Sequence, residues 1–339
     1  MKKIYFHIGV GKTGTTSLQA YLNDNYEILL DNGVIYPRTG IFEGSCAHHL
    51  LADLEEEYFS YQSQWLYESL VREILSVAAN TVIICSENFS YVKPSFVDDI
   101  FNCLHEFDIY IVFYVREQVS YILSSYMQWF KMSRLVVSPY TFYKTNIDSF
   151  DFEKIINPWE AHVDANKIFC RLYDRRNFCD VIDDFTGLLR LPRLEVGNVD
   201  DNPSINPVFI NLMLAINNSS MDDVCCKNII DEISFISSNN ICNKIQYENI
   251  DASLTDEIRN EYYSSNKRFA ERYLTQFERE IFMGSLGSRV AEVFQKNQLP
   301  AKNSRSAKRP GRAFLQKGKT GRGGKKSGQA RTAEGGRAA

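Results

Sequence analysis

Apolar residues along the chain form short continuous runs, and longer segments with helical periodicity lie between them. The runs are rich in β-branched and aromatic residues and have the length of buried strands. They fall at residues 4–10, 34–37, 81–87, 109–115 and 167–173. Helical patterns fall at 16–32, 47–57, 62–79, 95–105 and 118–133. A loop around Pro139 follows, and then a short helix that is predicted to start near Pro158 with Asn157 as its cap. After about residue 200 the patterns are mainly helical. This alternation predicts an α/β fold, a P-loop-like parallel sheet flanked by helices, with a mainly helical C-terminal part.

The first strand leads into a glycine-rich turn and a helix that starts near Thr15 or Thr16. Glycines let the backbone bend tightly and bring its N–H groups close to an anion, and a helix N-terminus adds partial positive charge. Lys12 adds a full charge, and the neighbouring hydroxyls add donors. We therefore predict a site for a phosphate-like group, and its candidate residues are Gly11, Lys12, Thr13, Gly14, Thr15, Thr16 and Ser17.

Three families of phosphate-binding loop are compatible with parts of this turn. A Walker A loop would need glycine at the position of Phe6. A dinucleotide loop matches the spacing of Gly9, Gly11 and Gly14, but no strand ending in an acid follows about twenty residues later. The third comparison fits best, because the segment GKTGTTSLQ at 11–19, followed by GVIYP at 33–37, resembles the 5′-phosphosulfate loop of sulfotransferases.

A second candidate anion site lies at the end of the strand at 109–115. Arg116 follows this apolar run, where a buried charge is costly without a partner. Ser120, Ser124 and Gln128 share one face of the next helix, so Arg116 and Ser124 could hold a terminal phosphate together. The alternative is an ordinary ion pair between Arg116 and an acid. An Arg followed eight positions later by a Ser resembles the 3′-phosphate motif of sulfotransferases.

The two motifs together resemble sulfotransferases that use 3′-phosphoadenosine 5′-phosphosulfate (PAPS), especially the bacterial carbohydrate-type members, over roughly residues 3–275. The resemblance implies transfer of a sulfuryl group from PAPS, as co-substrate, to a hydroxyl on a carbohydrate or glycan, without a metal ion. It also implies that Lys12, Thr15 and Thr16 bind the phosphosulfate and that Lys12 stabilises the breaking bond. The chain departs from the cytosolic small-molecule enzymes in having no evident C-terminal glycine-rich lysine loop.

The transfer needs a base for the acceptor hydroxyl, and the sequence offers two candidates. Glu87 ends the strand at 81–87, and the segment Ser86-Glu87-Asn88 resembles the catalytic glutamate region of heparan-type sulfotransferases. Its alternative role is a helix cap or salt bridge. His48 and His49 are the other candidates, since cytosolic relatives use a histidine, and a surface-exposed pair is the alternative for them.

Composition and charge separate the chain into a folded body and a basic tail. The net charge of the 339 residues is −4, but residues 301–339 contain 12 Lys or Arg and one Glu, which leaves −15 for residues 1–300. We expect a domain at 1–298 and a disordered tail at 299–339 that is a solvated segment rather than a nucleic-acid arm. The eight cysteines form no C-x-x-C pair and no apolar segment reaches eighteen residues, so we expect a cytoplasmic protein with no membrane span.

Two other classes of function remain open at this point. The same loop could serve a nucleotide-dependent kinase or NTPase, with Glu87 in the place of a Walker B acid. Against this stand Phe6 and the pair Arg116 and Ser124, which a Mg·ATP enzyme does not need. A nucleic-acid-binding protein acting through its basic tail is the third class. The acceptor and the oligomeric state leave no readable signal in the sequence.

Overall fold

The centre of the fold is a parallel sheet of five strands, seen in a computed structural model that describes residues 1–42, 44–52, 60–132, 136–174, 180–191, 194, 209–238 and 252–283. The strands are β1 (Lys3–His7), β2 (Val34–Ile35), β3 (Thr81–Cys85), β4 (Asp108–Val115) and β5 (Ile168–Leu172). Their order in the sheet is β2-β3-β1-β4-β5. The predicted α/β class with a parallel sheet is confirmed.

Strand β1 lies in the middle of the sheet and pairs with β3 on one side and β4 on the other. Its last residue, His7, is in register with Cys85 of β3 and Val112 of β4. The carboxyl ends of these three strands therefore meet at one edge, where ligands bind in open α/β sheets. The turn after β1, the residues after β3 and the end of β4 all lie along this edge.

Helices cover the strands and continue beyond β5. Between the strands they are α1 (Thr15–Asp24), α2 (Tyr26–Asp31), α3 (Tyr61–Ser76), α4 (Pro94–Cys103), α5 (Gln118–Met132), α6 (Pro139–Thr145) and α7 (Phe152–Glu160). After β5 they are α8 (Val181–Leu189), α9 (Ile210–Asn217), α10 (Asp223–Ser238), α11 (Ala252–Tyr273) and α12 (Gln276–Phe282). No strand occurs in the described residues after β5, which agrees with the predicted helical C-terminal part.

Both faces of the sheet are buried, which explains why its strands are continuous apolar runs. Ile4 and Phe6 point into the larger core, where the Phe6 ring lies 5.7 Å from the indole of Trp159. His7 points to the opposite face and packs edge-on against Tyr114 and Phe185. Burying one large apolar side chain of this kind contributes about 1.5–3 kcal/mol, so the central strand is held firmly from both sides.

The predicted helix over 16–32 is wrong in its continuity, because the chain forms α1 and α2 with a break at Asn25. The Asn25 side-chain amide donates to the Tyr21 carbonyl oxygen at 2.9 Å, and the Asn25 backbone N–H donates to the same oxygen at 3.2 Å. Asparagine competes in this way with regular helical hydrogen bonding. The helix start at Thr15 agrees with the sequence prediction.

The predicted helix start near Pro158 is also wrong. Helix α7 begins at Phe152, and Asp151 caps it by accepting hydrogen bonds from the backbone N–H groups of Glu153 (3.0 Å) and Lys154 (3.3 Å). Pro158 lies inside the last turn of this helix. An aspartate that satisfies two N-terminal donors is a stronger start signal than Asn157, which lies within the helix.

Two further segments differ from the sequence prediction. Pro139 is the first residue of α6 rather than part of a loop, since proline suits the first helical position and Ser138 caps the helix by accepting from Thr141 N–H at 3.2 Å. The predicted helix over 47–57 is a short 3₁₀ turn at His49–Leu51 in its described part. Residues 53–59 and the predicted tail at 299–339 lie outside the described residues.

Candidate functional site

The turn between β1 and α1 has three residues in the positive-φ region, and two of them are glycines. Its φ angles are positive at Gly9 (101°), Lys12 (67°) and Gly14 (81°). Backbone hydrogen bonds from Ile8 N–H to Val112 O (3.0 Å) and from Val10 N–H to Tyr114 O (2.8 Å) continue the pairing with β4 into the turn. Such backbone, with positive φ and successive N–H groups, is the kind that forms an anion-binding concavity.

Helix α1 begins at this turn with no capping side chain, because its N-cap is Gly14. The first intrahelical bond is from Leu18 N–H to Gly14 O at 3.2 Å, so the N–H groups of the first turn have no helical acceptor. They and the helix dipole favour a negatively charged group at this end.

The hydroxyls of the turn are placed differently from one another. Thr13 is fully buried, and its Oγ1 donates to the Val10 carbonyl oxygen at 2.6 Å, which stabilises the turn itself. Thr15 is also buried, whereas Thr16 is exposed and Ser17 is half-buried. Thr16 and Ser17 are therefore the hydroxyls with the readiest access to a ligand.

The Arg116 guanidinium joins the end of β4 to this turn. Its Nη1 donates to the Lys12 carbonyl oxygen at 3.1 Å and to Ser124 Oγ at 3.1 Å, and its Nη2 donates to Ser120 Oγ at 2.5 Å. The structure thus brings together Arg116, Ser120 and Ser124, as the shared helix face predicted. A guanidinium with coplanar N–H donors, held beside two hydroxyl groups, is suited to bind a phosphate group.

Glu87 packs directly against the same turn from the end of β3. A methyl group on Gly9 would lie 3.1 Å from Glu87 Cα, and one on Gly11 would lie 3.8 Å from Glu87 Cγ. The Glu87 Oε2 atom accepts a hydrogen bond of 2.8 Å from the side-chain amide of Gln19 on α1. The predicted base and the predicted phosphate loop are therefore neighbours.

Of the two adjacent histidines, one faces the site and the other is part of the core. His49 is half-buried, and its Nδ1 lies 2.8 Å from the hydroxyl of Ser86, the residue before Glu87. His48 is fully buried, its Nε2 lies 2.9 Å from the Pro37 carbonyl oxygen, and its Nδ1 accepts from Cys85 N–H at 3.1 Å. Burial lowers the pKa of His48 to about 4 and outweighs the opposing hydrogen bonds to the Pro37 and Cys85 backbone. His48 is thus a neutral structural residue near neutral pH.

Tyr173, the residue that follows β5, lies close to the turn between β1 and α1. Tyr173 N–H donates to the Val115 carbonyl oxygen at 2.6 Å, which aligns this chain end with the end of β4. A methyl group on Gly14 would lie 3.4 Å from Tyr173 Cε2 and 2.9 Å from Val181 Cγ1. Gly14 is therefore required both by its positive φ and by the closeness of these two side chains.

Gln19 is the site residue that the sequence reasoning did not single out. It is 5% exposed and lies four residues after Thr15, so both residues occupy the same face of α1. Its partner Glu87 is 68 positions away in the chain. Only the helical spacing from the phosphate loop could have indicated that Gln19 faces the site.

The part of the chain that the structure describes contains no group of three or more His, Cys, Asp or Glu side chains placed to hold a metal ion. None of its helices combines the length and the apolar character needed to cross a membrane.

Comparisons with known proteins give weak similarity. No protein-family model matches the chain, and no curated protein matches it. Among the solved structures that are similar to this chain, two share 13% identity with it over 80% of its length. One is a sulfotransferase from Alicyclobacillus acidocaldarius, with a TM-score of 0.44 and 95% of its chain covered. The other is the sulfotransferase domain from the curacin biosynthetic pathway, with a TM-score of 0.38 and 98% covered. At these values, the geometry of the site has to support any functional conclusion.

Proposed function

We propose that the chain is a sulfotransferase that moves a sulfuryl group from PAPS to a hydroxyl group of an acceptor. The observation that supports this most is the contact of 3.1 Å between Arg116 Nη1 and the Lys12 carbonyl oxygen. It supports a pair of neighbouring anion sites, one in the turn after β1 and one at Arg116, at the same edge of the sheet. A nucleotide phosphorylated at both its 5′ and 3′ positions is a ligand that needs two such sites.

The residues at the first site suit the 5′-phosphosulfate group. Lys12 and the first-turn N–H groups of α1 supply positive charge and donors, and the Thr16 and Ser17 hydroxyls lie at the same helix end. Donors fixed in advance stabilise charge that develops during transfer at little reorganisation cost. In this proposal Lys12 stabilises the bridging oxygen as its bond to sulfur breaks.

The residues at the second site suit the 3′-phosphate. Arg116, Ser120 and Ser124 already point toward one another through the hydrogen bonds of the guanidinium. A phosphate could accept from the guanidinium and from both hydroxyls at once.

The transfer itself requires positioning and a base. The acceptor oxygen forms a bond to sulfur, the bond from sulfur to the bridging phosphate oxygen breaks, and 3′,5′-ADP leaves with the electron pair. The acceptor proton passes to a base. We assign this role to Glu87, which lies against Gly9 and Gly11 of the turn, and keep His49 as the alternative because it is held beside Glu87 through Ser86. From the sequence resemblance we propose a saccharide as the acceptor.

Ligand-dependent thermal stability tests the donor assignment. We expect 3′,5′-ADP to raise the melting temperature without Mg²⁺, and 5′-AMP, which lacks the 3′-phosphate, to raise it much less. Stabilisation by Mg·ATP alone would refute the proposal in favour of a kinase or NTPase. Incubation of the protein with a radiolabelled sulfate donor and pools of saccharides would then identify the acceptor.

A further inference from the structure

Gln19 connects the phosphate loop to the candidate base through the helix that the loop begins. It lies on α1, the helix whose N-terminus forms part of the anion site. Its side chain is 5% exposed, and its amide nitrogen lies 2.8 Å from Glu87 Oε2. A buried amide that donates to a carboxylate restricts the orientation of the carboxylate and determines which oxygen remains available.

The backbone of Glu87 is held by the same loop. A methyl group on Gly9 would lie 3.1 Å from Glu87 Cα and 3.3 Å from its carbonyl oxygen, so the loop and the glutamate backbone are in contact. Glu87 is thus held at its backbone by Gly9 and at its carboxylate by Gln19. A shift of α1 would move both the anion site and the glutamate.

We propose that Gln19 is a positioning residue, which holds one oxygen of the Glu87 carboxylate so that the other faces the acceptor as the base. This inference rests on the proposed function. Gln19 does not touch the reacting atoms, and it acts through Glu87. Because Gln19 connects α1 to Glu87, binding of the sulfuryl donor at the start of α1 would also fix the position of the base.

A buried pair of polar groups lies at the end of β3, close to Glu87 in sequence. The His7 Nδ1 atom lies 2.8 Å from the Sγ atom of Cys85, which precedes Glu87 by two residues. Burial raises the pKa of Cys85 well above its usual value and the charge of Glu87 adds to this, whereas a hydrogen bond from Gln19 acts in the opposite direction. The Cys85 thiol therefore stays protonated and adds no second negative charge near the Glu87 carboxylate.

In the part of the chain that the structure describes, the titratable groups near Glu87 include three tyrosines. Burial raises the pKa of Tyr36, Tyr91 and Tyr121, and the charge of Glu87 contributes to each increase. Lys12 belongs to the loop that contacts Glu87, and His49 is linked to it through Ser86. Among these groups, the amide of Gln19 is a neutral donor within hydrogen-bonding distance of the carboxylate itself.

Two substitutions at Gln19 test the proposal in the full-length protein. Gln19→Met keeps the approximate volume and removes the donor, and Gln19→Glu replaces the donor with a second carboxylate. Because a hydrogen bond to a carboxylate favours its ionised form, we expect the acid limb of the pH profile of kcat/KM to move up by about one pH unit in Gln19→Met and further in Gln19→Glu. We expect kcat to fall about tenfold in Gln19→Met, while the Kd of 3′,5′-ADP changes less than threefold.

Gln118→Met is the matched control. Gln118 is 2% exposed on α5, and its amide donates to the Phe150 carbonyl oxygen at 2.7 Å rather than to a carboxylate. This control removes a buried amide and lowers stability without touching Glu87. An acid limb that moves equally in Gln118→Met, or that stays in place in both Gln19 variants, would overturn the proposal.

An infrared titration separates failure of this inference from failure of the proposed function. The infrared band of the Glu87 carboxylate is the one that disappears in Glu87→Gln. The pH at which half of this band is lost, its midpoint of protonation, is then compared between wild type and Gln19→Met. If wild type transfers no sulfuryl group, the proposed function fails, whatever the band shows. If wild type transfers the group and the band midpoint is the same in Gln19→Met, the positioning role fails and the function stands.

Discussion

The Nη1 atom of Arg116 lies 3.1 Å from the backbone carbonyl oxygen of Lys12, although the two residues are 104 positions apart in the chain. One residue ends a strand and the other lies in the turn after the neighbouring strand. The contact therefore fixes the distance between the two candidate anion sites. A ligand with two phosphate groups would engage both sites at once.

Replacement of Arg116 should weaken donor binding more than it affects chemistry. Hydrogen bonds to charged groups contribute about 1.5–3 kcal/mol each, so we expect Arg116→Ala to raise the Kd of 3′,5′-ADP by about 10- to 100-fold. Arg116→Lys should not restore affinity, because an ammonium group cannot reproduce the planar fork. Isothermal titration calorimetry with 3′,5′-ADP measures both effects.

Arg171→Ala is the control for this experiment. Arg171 lies on β5 and pairs with Asp184, with its Nε at 2.9 Å from Oδ2, so its loss should lower stability and leave the Kd of 3′,5′-ADP near the wild-type value. Equal loss of affinity in the two alanine variants would show that Arg116 has only a structural role.

Lys12→Ala should abolish most of the transfer activity. Removal of one preorganised group that stabilises transition-state charge costs about 10²–10³ in kcat. The affinity for 3′,5′-ADP should fall as well, because cleavage leaves the negative charge of the former bridging oxygen on the 5′-phosphate of this product. Steady-state rates combined with calorimetry would check this, and a kcat within a factor of three of wild type would remove Lys12 from the mechanism.

Glu87→Gln and His49→Ala distinguish the two candidate bases. We expect Glu87→Gln to lower kcat by about 10²–10⁴, the usual contribution of a positioned base, and His49→Ala to lower it much less. The kcat values of the two variants and of wild type are compared at several pH values, with PAPS at a saturating concentration. Near-normal turnover in Glu87→Gln together with a large loss in His49→Ala would assign the base to His49.

A methyl group at Gly9 should damage the site beyond its effect on stability. Gly9 has a φ of 101°, and the added carbon would lie 3.1 Å from the Glu87 backbone. Gly33 also has a positive φ, 76°, but no atom lies within 4 Å of the position its methyl group would take. Backbone strain of this kind costs on the order of 1–3 kcal/mol, so both alanine variants should unfold more easily, as urea denaturation would show.

The two glycine variants should differ in 3′,5′-ADP binding. We expect Gly9→Ala to lose affinity because Glu87 and the turn must move apart, and Gly33→Ala to retain it. Retained affinity in a folded Gly9→Ala protein would mean that the contact between the turn and Glu87 is unimportant for the site.

Acid should destabilise the protein partly through its buried histidines. Burial lowers the pKa of His7 to about 3 and that of His48 to about 4, below the ordinary value of 6.5. Between about pH 4 and 6.5 the unfolded chain therefore binds more protons, so the free energy of unfolding falls as the pH decreases through this window. The loss is at most about 1.4 kcal/mol per pH unit for each histidine.

The effect of His48 can be isolated by comparing slopes. We expect His48→Gln to reduce the dependence of the free energy of unfolding on pH between 4.5 and 6.5, measured by urea denaturation. The same substitution at the exposed His105 is the control. An unchanged slope in His48→Gln would show that this histidine is not buried in the neutral form.

The strands were predictable because a parallel strand covered on both faces leaves a continuous apolar run. The run at 109–115 corresponds to β4, and the meeting of Arg116 with the turn followed from the rule that parallel strands end at one edge. The break at Asn25 was not predictable, because it depends on a side-chain hydrogen bond to the backbone. The Gln19 amide and its carboxylate partner at Glu87 are brought together only by the fold, so no local pattern marks their contact.

The position of β1 between β3 and β4 has a consequence for biosynthesis. Its backbone pairs on one side with Thr81–Cys85 and on the other with the strand that begins at Asp108. Because domains emerge from the ribosome N-terminus first, the proposed nucleotide pocket cannot assemble until the chain has been synthesised through β4. A fragment that stops before β4 would leave β1, and the proposed phosphate-binding turn that follows it, at an unpaired edge of the sheet. Such a fragment should aggregate rather than bind to a resin that carries 3′,5′-ADP.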